Sequence, residues 1–548
     1  MVYLEKKDIN GYPYWYAIKK VRINGKPKRL WQLYLGTAER IAECIRASKT
    51  RPTTKLKSFQ YGKNAALLDV CQDLGFIEVV DKHAKMERVH GLTCGEYMIL
   101  IIMGRCDKPI SKNAMQKWFK KSCMGLLWKF KHKLSSQNFL NHMKRVDKKR
   151  EKIEDDIAKV LIDVGLLPHS LVLDESNFPT CIENLDGKQK LPQKCKSKQH
   201  RNDKNHVALG LVVSAENIPF LHNVYEANNH DSKQFPKILD NLVKRLTKLH
   251  VDTESLVLIF DKGNNSEPNI QKVMESMHVL GAVKPDQVKE LMNVPLSKYD
   301  YLYTNEKGHE IIGYRTKRAL FGYDFTIVVT YNKQTYKRQV RTYEKNKQKI
   351  FEKLKDLNRR LRSKRSKRDR SSVEREINDI IRKDMRAVVK CNVKKKNSKF
   401  KIVYRTDKTA ENERFDRFGK NIIFTDMHHW HSKKISKSYN SKYLIEEDFK
   451  WFNNDALISL TPIFSRLDKS IRMHVFLCVM GMLFYRYLFW KLRGFKMSGQ
   501  RILEELEEIR IGVVRQNKSG KGQLVFEEMT PLQMRLFSFL DLGRFIEE

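Results

Sequence analysis

A paired cysteine framework is missing from this chain. Its nine cysteines, among them Cys44, Cys71, Cys106, Cys195 and Cys478, show no CxxC spacing. That excludes a thiolate zinc module and a disulfide-stapled secreted fold, and it predicts reduced thiols in a cytosolic compartment. The opening MVYLEKKDIN lacks a signal-peptide core. The most apolar stretch, Val475 to Phe484, is shorter than a bilayer span and is flanked by Arg472, His474 and Arg486. Secretion and membrane insertion are therefore not expected. No GxxxxGK[ST] loop accompanies Gly263, so nucleotide hydrolysis has no phosphate cradle. His428, His429 and His431 surround Trp430 without distant Cys or carboxylate partners, which reads as a polar loop, and no zinc is assigned.

Acidic residues are few beside basic ones. With 106 Lys+Arg against 64 Asp+Glu, the formal net charge is +42, far more than solubility of a folded chain requires. A polyanionic partner follows. At 548 residues and 41% hydrophobic content, the chain can build several cores, and it reads as a globular protein with basic surfaces.

The first segment is extended: Tyr14 to Ile18, Val21-Arg22-Ile23, Asn24-Gly25, then Leu30 to Leu35. Asn-Gly between extended runs predicts a hairpin, because both residues tolerate the positive φ of a type I′ turn. Residues 1–58 thus form an N-terminal β-hairpin element that closes with the polar stretch Ser48 to Ser58. Residues 59–168 turn helical, through Ala65-Ala66-Leu67-Leu68, the apolar run Met98 to Met103, and basic helices carrying Lys117, Lys120, Lys121 and Lys144 to Lys152. A helical DNA-binding domain has this composition, and so does a solvated helix face.

From residue 169 the elements read β, β, β, α, β, α, β. A strand through Leu171-Val172-Leu173 ends in Asp174, and two strands, Val207 to Val213 and Phe220 to Val224, flank Ala215-Glu216-Asn217. An amphipathic helix from about Ser232 to Leu249 precedes the strand Leu256 to Phe260, which ends in Asp261; a helix near Ile270 to Met277 and a strand Val279 to Val283 follow. Three meandering strands followed by alternating helices and strands is the order of an RNase H-like layer. A carboxylate at the end of a buried strand is fixed in position. Converging carboxylates can hold Mg²⁺ while leaving coordination open for phosphate oxygens and water. Taken singly, each such residue is as well explained as a helix N-cap.

Glu446 lies in a helix-like stretch. At about 100° per residue, Tyr439, Lys442, Glu446, Lys450 and Asn453 share one face, and Ile445, Phe449, Phe452 and Ala456 form an adjacent apolar stripe. One face packs and its neighbour presents polar groups to a site; the plainer reading is a surface helix with Lys442 and Glu446 as an i,i+4 pair.

Together these blocks resemble the insertion-sequence DDE transposases of the YREK-signature class. The spacing Tyr439, two residues, Lys442, three residues, Glu446, read with Phe449-Lys450, is similar to Y-(2)-R-(3)-E-(6)-K. Upstream, Leu173-Asp174, the passage His206 to Val213 with Ile218-Pro219, the step Asn228-Asn229-His230-Asp231-Ser232 and Phe260-Asp261-Lys262-Gly263-Asn264 stand in the family's order. The resemblance covers residues 165 to 490. Lys442 stands where the family has Arg, which removes the bidentate fork. Asn453 stands where it has Lys, with Lys450 the nearby cation.

The resemblance implies Asp174, Asp261 and Glu446 as catalytic triad and as ligands of Mg²⁺ or Mn²⁺, two ions in all. It implies Tyr439, Lys442 and Lys450 as DNA contacts. The implied fold is α/β, an RNase H-like mixed-sheet catalytic core in two parts, 169–295 and 436–492, the second holding the Glu-bearing helix and the one after it. Between them lies an insertion domain, 296–435, with strands over Tyr301 to Tyr331, a basic helical hairpin over Tyr343 to Val388 broken at 362 to 372, and strand-like Phe400 to Tyr404 and Asn421 to Thr425. In the hairpin Ile350, Leu354, Leu357 and Leu361, then Val373, Ile377 and Ile380, keep a/d spacing. A tail domain, 493–548, has strand-like Gly512 to Val525 and helix-like Pro531 to Phe545. The implied activity is metal-dependent cleavage of double-stranded DNA at terminal inverted repeats and strand transfer into target DNA, by a homodimer in the cytoplasm at the nucleoid. Two alternatives stand beside it: a nuclease without strand transfer, and a transposase-derived DNA-binding protein without catalysis.

Overall fold

The computed structural model describes residues 2–23, 26–49, 54–85, 91–128, 133–183, 189–198, 201–229, 231–362, 369–396, 399–454, 457–463, 465–516 and 522–546. The chain opens with β1 (Val2–Ile9), β2 (Tyr12–Ile23), β3 (Lys26–Gly36), α1 (Ala38–Lys49) and β4 (Thr54–Gln60). Helices follow: α2 (Gly62–Asp73), α3 (Phe76–His83), α4 (Cys94–Asp107), α5 (Met115–Lys121), α6 (Met124–Leu127), α7 (Ser136–Asp147) and α8 (Arg150–Asp163). Next come β5 (Ser170–Thr180), β6 (Asn205–Ser214), β7 (Pro219–Glu226), α9 (Asp231–Lys248), β8 (Val257–Phe260), α10 (Glu267–Met274), β9 (His278–Ala282) and α11 (Lys289–Met292). The stretch after them holds β10 (Asp300–Thr304), β11 (Glu310–Leu320), β12 (Tyr323–Tyr331), α12 (Lys333–Arg362), α13 (Arg370–Ile380), β13 (Val389–Lys396), β14 (Lys399–Thr406), α14 (Lys408–Arg417) and β15 (Lys420–Thr425). The chain ends with α15 (Ser432–Asn440), α16 (Tyr443–Trp451), α17 (Asp468–Lys491), α18 (Gly499–Glu508), β16 (Arg510–Gln516), β17 (Gln523–Phe526) and α19 (Pro531–Phe539).

Two compact units result, one of residues 1–65, 121–127 and 500–548, the other of 66–120 and 128–499. The larger is mixed α/β, built on a nine-stranded mixed sheet of order β10-β11-β12-β15-β9-β8-β5-β6-β7. Its centre is parallel, β5 with β8 and β8 with β9, while the flanking pairs are antiparallel. Every residue of β8 and all but the first of β6 are buried. Continuous apolar runs of this kind belong to strands covered on both faces. On one face α9 sets Phe235 against Phe260 with ring centroids 4.9 Å apart, and a Cβ on Gly210 would meet Ile238 Cδ1 at 2.7 Å. Bare backbone at Gly210 is what lets that helix approach.

The order β, β, β, α, β, α, β holds through β5 to β9, with the step at His230 outside the described residues. The strands expected within an insertion do not form a sheet of their own: β10, β11, β12 and β15 continue the central sheet from β9. What stands apart is the segment from α12 to α14. There Tyr343, Ile350, Leu354, Leu357 and Leu361 of α12 meet Val373 and Ile377 of α13 and Ile402 of β14 in a separate buried cluster. Most of the basic break after Arg362 lies outside the described residues. Sequence periodicity missed β13 and α14, which complete this core.

While α6 belongs to the smaller unit, most helices of the 59–168 stretch, α3, α4, α7 and α8 among them, share the unit of the central sheet. The cause is α4. Twelve of its fourteen residues, Cys94, Gly95 and Tyr97 to Cys106, are buried with scarcely an exposed face, and a helix apolar all round needs cover all round. Its cover includes α17, a single 24-residue helix where the sequence suggested a shorter apolar run. Among the described residues α17 is the one helix long and apolar enough to cross a membrane, and 83% of its most apolar window is buried in the fold. Gly481 brings α17 close: a Cβ there would lie 2.0 Å from Ile458 Cδ1 and 3.4 Å from Cys106 Sγ.

In the smaller unit β1, β2 and β3 form one antiparallel sheet. The β1–β2 hairpin turns at Asn10-Gly11, with φ of 53° and 80°, an Asn-Gly signal passed over in favour of Asn24-Gly25, which lies outside the described residues. A second sheet, β17-β16-β4, joins the two ends of the chain. Residues Thr54 to Ser58, a polar connector by composition, are strand because β16 pairs along this segment from Gln516↔Thr54 to Arg510↔Gln60.

A buried polar cluster ties α8, β7 and α9 together. Arg245 Nη2 lies 2.6 Å from Glu154 Oε2, and His222 Nδ1 lies 3.2 Å from Glu154 Oε1. Burial, aided by Arg150, Arg245 and Arg472 and opposed by Glu154, pushes the His222 imidazole down to about 4. With its folded value below its ordinary one, His222 stabilises the fold fully above about pH 6.5 and loses that contribution as pH falls toward 4, on the order of 3 kcal/mol. The variant His222→Gln should show a flatter fall of unfolding free energy across that window in urea titrations; an unchanged slope would refute the assignment.

Candidate functional site

Strand register builds the site. Because β5 and β8 pair in parallel with Leu171 opposite Leu258 and Leu173 opposite Phe260, the next residue of each, Asp174 and Asp261, stand level on neighbouring strands. Each carboxylate is held by local backbone: Asp174 Oδ1 accepts the N–H of Glu175 at 2.9 Å, and Asp261 Oδ1 accepts that of Lys262 at 2.8 Å. β8 stops before Asp261, as its sequence suggested. β5 does not stop at Asp174; it continues to Thr180 because β6 offers partners along its whole length.

Alternation along β5 puts Asp174 on the same face as Phe178. The Phe178 ring lies 6.3 Å from Phe449 and 6.1 Å from Phe452, so this is the face that α16 covers. Glu175 points the other way. Its Oε2 accepts from Asn264 Nδ2 at 3.0 Å, and the Asn264 carbonyl accepts from Asn269 Nδ2 at 2.9 Å. The turn following Asp261 is thereby fastened to the strand carrying Asp174.

Tyr439, Lys442 and Glu446 do not lie on one continuous helix. The helix breaks at Ser441-Lys442, where Ser441 Oγ donates to the Ser438 carbonyl at 2.6 Å, a local bond that competes with helical pairing. Tyr439 lies in the last turn of α15, Lys442 caps α16, and Glu446 follows in the first turn of α16. Lys442 is buried, with Nζ 3.1 Å from Asp261 Oδ1. Burial raises the Asp261 carboxyl, but the Lys442 ammonium and the Lys262 N–H outweigh it and hold the group below its ordinary value. For Asp174 burial wins: despite the pull of Lys442 and Lys198, and with Asp261 adding repulsion, its carboxyl is raised. Neighbouring carboxylates pushed in opposite directions mark a shared electrostatic site.

Tyr439 reports the third carboxylate. Burial raises its hydroxyl, and Asp261, Asp174 and Glu446 add to the rise in that order. All three acidic side chains therefore act on one buried phenol, which keeps its proton. Glu446 itself is exposed. Lys450, also exposed, has no hydrogen bond or ion pair to the acidic residues among the described residues. Within the same limit, no three His, Cys, Asp or Glu side chains are near enough to enclose a metal ion. The donor chemistry suits a hard cation, since Asp174 and Asp261 offer carboxylate oxygens side by side. His428 has a structural partner, Thr326 Oγ1 at 3.0 Å from its Nδ1.

Sequence reading overlooked the group that aims α16. Asp448, with no exposed side-chain surface, accepts from Arg486 Nε at 2.7 Å and also from Arg486 Nη2. Asn217, at the β6–β7 turn with φ of 62°, donates to the same carboxylate at 3.2 Å. Arg486 from α17 lies over the Trp451 ring, 4.7 Å from its centroid. An arginine inside an apolar helix was the available signal, because a buried guanidinium requires a carboxylate. Lys198, whose charge acts on Asp174, carried no signal of its own amid a basic run.

No family model matches the chain, and no curated protein matches its sequence. Asp448→Leu should cost about 3–5 kcal/mol in chemical denaturation, because Arg486 stays buried without its carboxylate. The double variant Asp448→Leu/Arg486→Leu should regain most of that loss; a single variant as stable as the parent would show that the pair does not fix α16.

Proposed function

We propose that this chain is a DDE-type DNA transposase of the insertion-sequence class, acting through an RNase H-like core. The observation that carries the reading is the level placement of Asp174 and Asp261 on adjacent parallel strands, beneath the helix that bears Glu446. The inner strand order β9-β8-β5-β6-β7, an antiparallel meander running into parallel strands, supports it, as do the ordered sequence blocks and the net charge of +42.

In this reading Asp174 and Asp261 would hold divalent metal, Mg²⁺ or Mn²⁺ and two ions in all, and Glu446 would add a carboxylate from α16. When bound, such a metal supplies Lewis acidity and lowers the pKa of a water or a DNA 3′-hydroxyl for in-line attack. The chain's own residues do the rest. Lys442 offsets negative charge beside Asp261, so a phosphodiester meets less repulsion. Tyr439 keeps its proton and serves as a hydrogen-bond donor to a phosphate oxygen. Basic surfaces supply most of the affinity through phosphate contacts, and binding weakens with salt. Paired cleavage of two inverted-repeat ends calls for a homodimer, working where the DNA is, in the cytoplasm at the nucleoid.

The test is an assay on duplex ends with Mg²⁺ or Mn²⁺. The parent should nick its inverted-repeat ends and join them to plasmid DNA, while Asp174→Asn, Asp261→Ala and Glu446→Gln should each lose nicking and keep duplex binding. Nicking without joining would leave the nuclease reading, and duplex binding without metal-dependent nicking by the parent would leave a DNA-binding protein.

A further inference from the structure

The two-stranded ribbon of β13 and β14 has two unlike faces. Its register pairs Cys391 with Tyr404 and Val393 with Ile402 on one face, and Lys390 with Arg405, Asn392 with Val403 and Lys394 with Lys401 on the other. The first face packs on the cluster built by α12 and α13. Asn358 of α12 locks it there, donating from Nδ2 to the Ile402 carbonyl and accepting the Ile402 N–H at Oδ1, both at 2.7 Å. The second face is exposed at all six positions.

That outer face sets cations directly across from cations. Like charges opposite one another destabilise an antiparallel pair, so the arrangement costs the ribbon stability. No Asp or Glu occurs between Val389 and Thr406, and among the described residues none of Lys390, Lys394, Lys401 and Arg405 has a carboxylate within ion-pair distance. Two cations of α12 differ: Lys347 reaches Glu411 at 2.8 Å, and Arg360 reaches Glu376 at 2.7 Å. Protein carboxylates thus pair these two cations of α12, and among the described residues none pairs the cations of the outer ribbon face.

We propose that the outer face of the β13–β14 ribbon is a docking surface for the phosphate backbone of duplex DNA, independent of sequence. The inference rests on the transposase reading and names the surface by which such a protein grips DNA away from its carboxylates. A two-stranded ribbon is narrow enough for the major groove, about 12 Å wide, and its paired cations neutralise phosphates that would otherwise hold counterions. Sequence-independent contact is the kind needed for DNA chosen without a fixed recognition sequence.

The experiment uses the full chain and two unrelated 30-base-pair duplexes. It compares the parent, a ribbon variant (Lys390→Gln, Lys394→Gln, Lys401→Gln, Arg405→Gln) and a control variant losing the same charge elsewhere (Lys289→Gln, Lys298→Gln, Lys307→Gln, Lys317→Gln). The ribbon variant should lower the slope of log K against log salt by about 2 to 4 on both duplexes, since each lost phosphate contact removes about 0.9. Its melting temperature should stay level or rise, as cross-strand repulsion is relieved, and the control should keep the parent's slope. An unchanged slope in the ribbon variant, or an equal loss in the control, overturns the proposal. So does loss of binding to phosphatidylserine vesicles with duplex binding intact. A parent that binds duplex with the expected ribbon dependence yet never nicks would overturn the catalytic reading and leave the ribbon assignment standing.

Discussion

Everything at the carboxylate site depends on the register between β5 and β8. Four successive pairs, Ser170 with Val257 through Leu173 with Phe260, bring Asp174 and Asp261 level. A slip of one residue would turn Glu175 toward α16 and send Asp174 to the α9 side. The apolar residues of these strands are buried on both faces, so such a slip would also expose or misplace the centre of the core. Stability and site geometry are thus enforced by the same contacts. The two carboxylates are carried by strands whose apolar residues are buried on both faces.

Electrostatics then differentiate two otherwise similar carboxylates. Asp261 has the Lys442 ammonium against it and titrates low; Asp174 is more deeply buried and titrates high. The contrast is made from α16, which brings the lysine, and the angle of α16 is set by the buried Asp448–Arg486 pair and by Asn217. A buried ion pair contributes modestly to net stability. Here its value is positional, because it ties a strand turn and two helices together two residues beyond Glu446.

Positive charge follows a different logic away from the site. In the α12 to α14 segment Lys347 beside the core finds Glu411, whereas the outer ribbon sets like charges opposite one another. In the smaller unit the two ends of the chain meet as neighbouring strands, β4 with β16. No local signal foretold that pairing. The polar segment Thr54 to Ser58 becomes strand because a distant edge supplies its hydrogen bonds, and edge strands have little need of apolar alternation.

Where periodicity was strong and burial two-sided, the sequence was readable. It yielded the order of β5 to β9, Asp261 at the end of β8, the heptad residues of α12 and α13, and an α/β class. It misplaced the end of β5 and ran α15 and α16 into one helix, since those boundaries are set by a partner strand and by one serine hydroxyl. Local pattern by itself determined which residues are apolar, which are cationic and which segments extend or coil, because these follow from side-chain chemistry and its repeat along the chain. Only the tertiary structure decided that β10 to β12 and β15 extend the central sheet, that Arg486 closes on Asp448, that Lys442 rests on Asp261, and that the ribbon's cations face one another. Each of these is a meeting of residues far apart in sequence, and proximity of that kind is fixed by strand register and helix packing, which carry no signature in any short stretch of chain.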